Sequence, residues 1–187
     1  MDTTDVLTSA SKAQRSVQSL SEAQVAQVLR EVASALRTSA DAILKANAED
    51  LSRMSPDNPK YDRLKLTVER IDGIASDLEN VASLPSPLGK VLDEAVRPNG
   101  MKISKVTVPF GVVGVIYEAR PNVTADVFSL CLRSGNVCVL KGGSDADSSS
   151  RAIVSVIHSV LENHGIDRAV CTLLPADREA TAALLGA

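Results

Sequence analysis

The chain has almost no aromatic residues: two Phe, two Tyr and no Trp. Single-strand nucleic-acid binders stack bases on aromatic faces set among basic residues, and no such run is present. A strong excess of one charge is also missing. The net charge is −3, which argues against a nucleic-acid or membrane-surface partner. Long hydrophobic runs are absent too. The longest is about a dozen residues and carries Pro109, too short to span a bilayer. The opening MDTTDVLTSASKAQR is polar, so neither a signal peptide nor an Arg-rich transit peptide is expected, and a cytoplasmic location is the default. Cys131, Cys138 and Cys171 match no CxxC pattern and read as reduced, buried packing thiols. His158 and His164 lack a carboxylate or cysteine partner at metal-ligand spacing, so no metal site is expected. Neither GxGxxG nor GxxxxGK[ST] occurs.

What is present is a core of Val, Leu, Ile and Ala. Apolar residues make up 44% of 187, enough for one domain. The first 87 residues read as helices. Leu7, Ala10, Ala13 (or Gln14) and Val17 mark a first helix over about 4–19. Ser21 and Gln24 form a capping box for a second, with Val25, Val28, Leu29, Val32 and Leu36 on one face. A third, over about 40–54, is expected to bury Ile43, Leu44 and Leu51. Thr67 caps a fourth with an apolar stripe from Val68 through Ile71, Ile74, Ala75, Leu78 and Val81 to Ala82, stopped by Pro85 and Pro87. Charges on these four helices read as solvated faces. Residues 90–97 and 101–108 flank Asn99-Gly100 and predict a hairpin that needs support from elsewhere.

The remainder alternates strand and helix, predicting a parallel sheet. Residues 106–117 read as one strand buried on both faces, with no alternation. Residues 137–140 and 170–174 are further strands. Helices are expected from Val123, over 145–163 with Gly165 as its C-terminal cap, and from Asp177. Gly111 and Gly114 read as close-packing positions. Three strands are few for this class of sheet.

Two polar turns sit at strand carboxyl ends, where open α/β sheets place ligands. In Lys141-Gly142-Gly143-Ser144-Asp145, two glycines allow close backbone approach. The following helix amino terminus would attract phosphate or ribose oxygens, and Lys141 adds a full charge. An ordinary tight turn, with Ser144 or Asp145 as N-cap, accounts for the same residues. In Glu118-Ala119-Arg120-Pro121-Asn122, Arg120 suits a carboxylate or phosphate and the Asn122 amide suits an oxyanion. Pro121 as turn former and Asn122 as helix cap is the alternative.

The stretch VPFGVVGVIYEARPNVTADVFSLCLRSGNVCVLKGGSDA resembles the gamma-glutamyl phosphate reductase branch of the aldehyde dehydrogenase superfamily, as does YDRLKLTVERIDGIASDLENVASLPSPLG. The likeness covers nearly the whole chain, and the EARPNVT and LKGGSDA turns are specific to the branch. It implies an α/β fold with amino-terminal helices, a β-hairpin arm and an incomplete Rossmann-like parallel sheet. The implied reaction is NADPH-dependent reduction of L-glutamyl 5-phosphate to L-glutamate 5-semialdehyde, the second step of proline biosynthesis. A cysteine thiolate attacks the acyl phosphate and hydride resolves the thioacyl enzyme.

On this resemblance Lys141, Gly142, Gly143 and Ser144 hold the adenosine end of NADPH. Tyr117, Glu118 and Ala119 border the cofactor path. Arg120 and Asn122 bind substrate, with Asn122 the best candidate for the oxyanion donor. Members of the branch are roughly twice as long, so the nucleophilic cysteine is expected beyond residue 187. The chain then reads as one incomplete cofactor-binding domain: helical segment 1–87, hairpin 88–108 serving oligomerisation, and a βαβαβα core over 109–187, without the catalytic domain. The alternatives are a non-catalytic nucleotide-binding or interaction module, or a sister acyl-transferring aldehyde dehydrogenase.

Overall fold

The computed structural model describes residues 3–186; Met1, Asp2 and Ala187 lie outside them. Five helices come first: α1 (Thr3–Gln18), α2 (Glu22–Thr38), α3 (Ala40–Ser52), the single turn α4 (Tyr61–Leu64) and α5 (Val68–Ser83). The Ser21–Gln24 capping box and the Thr67 cap form as the sequence predicts. α2 buries Val25, Val28, Leu29, Val32 and Leu36, and lies along α5, which buries Ile71, Ile74, Ala75, Leu78 and Ala82. Val68, placed on that stripe from the sequence, is exposed because it opens the helix ahead of the packed turns.

α3 departs further from expectation. Ile43 is buried, but Leu44 and Leu51 are only half-buried, while Asn47 and Asp50 are each 1% exposed. A face read as solvated thus carries two buried polar groups, and both are satisfied. Asn47 donates to the Leu64 carbonyl and accepts from Leu66 N–H, and so holds the loop after α4.

The hairpin is β1 (Val91–Val96) and β2 (Lys102–Val106), antiparallel, with Gly100 at φ +83 in the connection. Every residue of both strands is exposed, and Phe110, just beyond, is 95% exposed. The described residues supply nothing for this arm to lie on.

The second sheet is parallel, in the order β3 (Val112–Ile116), β4 (Val137–Lys141), β5 (Cys171–Leu173). The single strand expected over 106–117 is therefore two. β2 ends at Val106, and residues 107–111 link it to β3, with Pro109 lacking the N–H that a ladder needs. Nor is β3 buried on both faces. It is an edge strand of half-buried and exposed residues, whereas all of β4 is buried. The absence of alternation reads truly only for the central strand.

α6 (Asn122–Arg133) and α7 (Asp147–Asn163) connect the strands and pack against each other, with α2, α3 and α5 outside them. α1 touches all three strands and also α8 (Arg178–Leu185). Gly165, at φ +65, ends α7 as predicted. Gly114 is a close-packing position, since a Cβ there would lie 2.9 Å from Leu184 Cδ1. The core runs through Phe128, Leu132, Val137, Leu140, Ile153, Ile157 and Leu161. Each such side chain contributes about 1.5–3 kcal/mol by leaving water.

Candidate functional site

The carboxyl ends of β3 and β4 lie side by side, so the two polar turns meet. Tyr117 N–H donates to the Lys141 carbonyl at 3.1 Å, which extends the β3–β4 pairing by one residue. The Tyr117 ring then passes beneath the second turn. A Cβ on Gly142 would sit 3.6 Å from its Cζ, and one on Gly143 would sit 3.4 Å from Glu118 Cα. Both distances are ordinary van der Waals contact, so the packing of the two turns does not itself require either glycine. The Tyr117 hydroxyl shares a 2.7 Å hydrogen bond with Thr124 Oγ1 on α6, and burial pushes its pKa up. It is a fixed neutral wall.

Lys141 is the unusual group. It is only 7% exposed, and its Nζ donates to the Gly142 carbonyl at 3.0 Å. An ammonium has three donors, and no carboxylate neutralises this one among the described residues. Buried cations ordinarily have an anionic partner. Opposite it, Glu118 and Asp145 share Lys60, at 3.4 and 3.8 Å. Lys60 had no signal in the sequence, because only the fold brings the 55–60 loop to this edge.

Ala119 has φ +45, the only positive value among the described non-glycine residues, and is buried. Such a conformation costs of order 1 kcal/mol or more and clusters at functional turns. It directs Arg120 away from the glycine turn, into a cavity of about 420 Å³ bounded by the loop after α4 and by α5.

Three expectations fail here. Asn122 is not the helix cap. α6 begins at Asn122 itself, after Pro121, and the Asn122 amide donates to Asp126 Oδ2 at 2.9 Å. Neither Ser144 nor Asp145 caps α7, because residues 144–146 form a 3-10 turn. The amino terminus of α7 is also closed to an incoming phosphate. The buried Asp50 carboxylate accepts the N–H groups of Ser148 (3.1 Å) and Ser149 (2.8 Å) and the Ser149 hydroxyl (2.5 Å). A carboxylate from another helix supplies the anion that the helix end favours. What remains for a ligand anion is Lys141 and the glycine turn.

The cysteines form a buried group. Cys138 and Cys171 are register partners on β4 and β5, Cys131 faces Cys138 from α6, and all three thiols are free and buried. The hydrogen bond with Cys138 and burial push the pKa of Cys131 up; for Cys138 the bond with Cys131 pulls down, but contact with Cys171 and burial outweigh it, the opposite of an activated nucleophile. His158 is bonded to the Cys171 carbonyl and faces Arg168, and His164 pairs with Glu31.

A family model for the aldehyde dehydrogenase family matches residues 1–187. The chain belongs to that family. It is 66% identical, over all of its 187 residues, to the gamma-glutamyl phosphate reductase of Parabacteroides distasonis, and covers 45% of that protein. The crystal structure of the gamma-glutamyl phosphate reductase from Thermotoga maritima superposes with a TM-score of 0.94 at 31% identity, over 99% of this chain and 46% of that one. The Saccharomyces cerevisiae reductase gives 0.87 at 26%, over 95% of this chain and 47% of that one. The chain thus spans less than half the length of the relatives it matches. No described helix is long and apolar enough to cross a membrane.

Proposed function

We propose that this chain is the amino-terminal, cofactor-holding part of an NADPH-dependent reductase that converts L-glutamyl 5-phosphate to L-glutamate 5-semialdehyde and phosphate. The observation that carries the reading is Lys141. It is a buried cation with donors to spare, where two polar turns meet at strand carboxyl ends, within a chain closely similar to such reductases. Lys141, Gly142, Gly143 and Ser144 hold the adenosine ribose and its phosphate. Tyr117, Glu118 and Ala119 wall the path from there to the reacting end. Arg120 binds the acyl phosphate. Asn122 spends one amide proton on Asp126 and has a second for the oxygen that gains charge.

The bound cofactor supplies the hydride. A thiolate would displace phosphate, which leaves with the electron pair of its bond to the acyl carbon, and hydride from the bound cofactor would then displace the thiolate to give the aldehyde. This chain offers no thiol for the attack, since all three of its cysteines are buried; the nucleophile belongs to the rest of the reductase. The hairpin arm over 88–108, with Val91, Leu92, Val96 and Ile103 exposed, packs against a second copy in a homo-oligomer. The free thiols suit a cytoplasmic enzyme.

The test is made in a completed reductase, in which this chain is joined to the remainder of the Parabacteroides distasonis relative. Lys141→Ala should raise KM for NADPH by about tenfold or more, the loss of one charge-assisted contact, with a smaller effect on kcat. An unchanged KM for NADPH would remove Lys141 from the cofactor site. The 187-residue chain alone should give no reduction of the acyl phosphate.

A further inference from the structure

The cavity beyond Ala119 has a composition that the cofactor does not explain. Its wall carries Arg63 from α4, Lys65 from the loop after it, Arg120 from the turn after β3, and Asp77 from α5. Among the described residues none of these four side chains makes an ion pair. Arg70, by contrast, is fully engaged. It bonds the Asp62 carboxylate at 2.9 Å, the Lys65 carbonyl at 2.7 Å and the Asp62 carbonyl, and so fastens the loop to α5. One arginine is spent on building the wall, while three cations and one carboxylate face the space.

Gly73 lies in the interior of α5 and lines the same cavity. A Cβ there would meet nothing within 4 Å, and its φ is not in the left-handed region. Neither packing nor backbone conformation requires a glycine, yet glycine weakens a helix interior relative to alanine. A ligand lying against the helix backbone accounts for it. Three cations around one carboxylate suit a molecule with two anionic groups and one ammonium.

Building on the reductase reading above, we propose that this cavity is the subsite for the α-amino-acid end of the substrate. The α-carboxylate meets Arg63 and Lys65, the α-ammonium meets Asp77, and the carbon chain runs past Gly73 toward Arg120. These are specificity residues that take no part in bond making. They distinguish L-glutamate 5-semialdehyde from the same chain without its amino group.

The completed reductase is assayed in reverse, with phosphate and NADP, on L-glutamate 5-semialdehyde and on glutarate semialdehyde. Gly73→Ala should keep or raise the melting temperature. It should raise KM for L-glutamate 5-semialdehyde by about tenfold, a loss of the size expected when one methyl obstructs a fitted site, with KM for NADP unchanged. Asp77→Asn should lower the preference for the amino-bearing substrate by about tenfold or more, as the charge partner of the ammonium is lost, and leave glutarate semialdehyde turnover unaltered. If the parent is active and both variants match it, the subsite assignment is wrong while the reductase reading stands. An inactive parent overturns both.

Discussion

Asp50 gives the sharpest test of how the site is held. Its side chain is fully buried on α3 and closes the amino terminus of α7, the helix that follows the glycine turn. In Asp50→Ala the helix loses a cap, worth about 1 kcal/mol. The buried Ser149 N–H and hydroxyl lose their acceptor, at about 1 kcal/mol each for unpaired buried groups. Arg53 also loses its partner, but its side chain is 53% exposed, so water takes over at little cost. The expected loss is about 3 kcal/mol. For a chain of this length each kcal/mol moves the melting temperature by about 2–4 °C, so calorimetry should show a fall of about 6–12 °C. Glu162→Ala, which removes an exposed pair with Arg168, serves as the control and should stay within about 0.5 kcal/mol. Asp50→Asn keeps the shape and one acceptor and should fall between them. If Asp50→Ala melts with the control, the carboxylate does not hold α7, and the account of why its amino terminus is closed to phosphate fails.

The thiols should be inert in the folded chain. Iodoacetamide at mildly alkaline pH, followed by mass spectrometry, should modify Cys131, Cys138 and Cys171 only after denaturant is added; rapid labelling of any of them in the native protein would contradict their burial. Asp126 yields a pH signature. Desolvation holds its carboxyl above the usual carboxylate range, against the hydrogen bond from Asn122. The folded state therefore binds that proton more tightly than the unfolded state, and stability contributed by this group falls as pH rises through the interval from the ordinary to the raised value. Asp126→Asn should accordingly gain melting temperature over the parent at neutral pH and lose that advantage in acid; a constant difference across the range would show that Asp126 titrates alike in both states. Phe128→Ala, at a fully buried α6 position, should cost about 3–5 kcal/mol in urea unfolding, and a loss under 1 kcal/mol would place the core elsewhere.

The sequence by itself determined the elements and their order. Apolar spacing of three and four set α2 and α5, Ser21 and Thr67 set their starts, and Asn99-Gly100 set the hairpin. These are local signals, carried by residues within a turn or two of one another. The sequence also marked both polar turns, because Pro, Gly and charge at strand ends leave few conformations. Tertiary structure decided what those turns can do. The breadth of burial around β3 depends on how many strands lie beside it, which no run of valines encodes. Whether the α7 amino terminus is open depends on Asp50, about a hundred residues earlier, which as a charged residue on a helix looks like any solvated one. The same holds for the cavity. Arg63, Lys65, Gly73 and Asp77 lie across α4, α5 and the loop between them with no motif to join them, and only the fold of that loop onto α5, fastened by Arg70, brings them to face Arg120. Local chemistry is written in short spacings, whereas a charge becomes a cap or a ligand through what the chain folds against it.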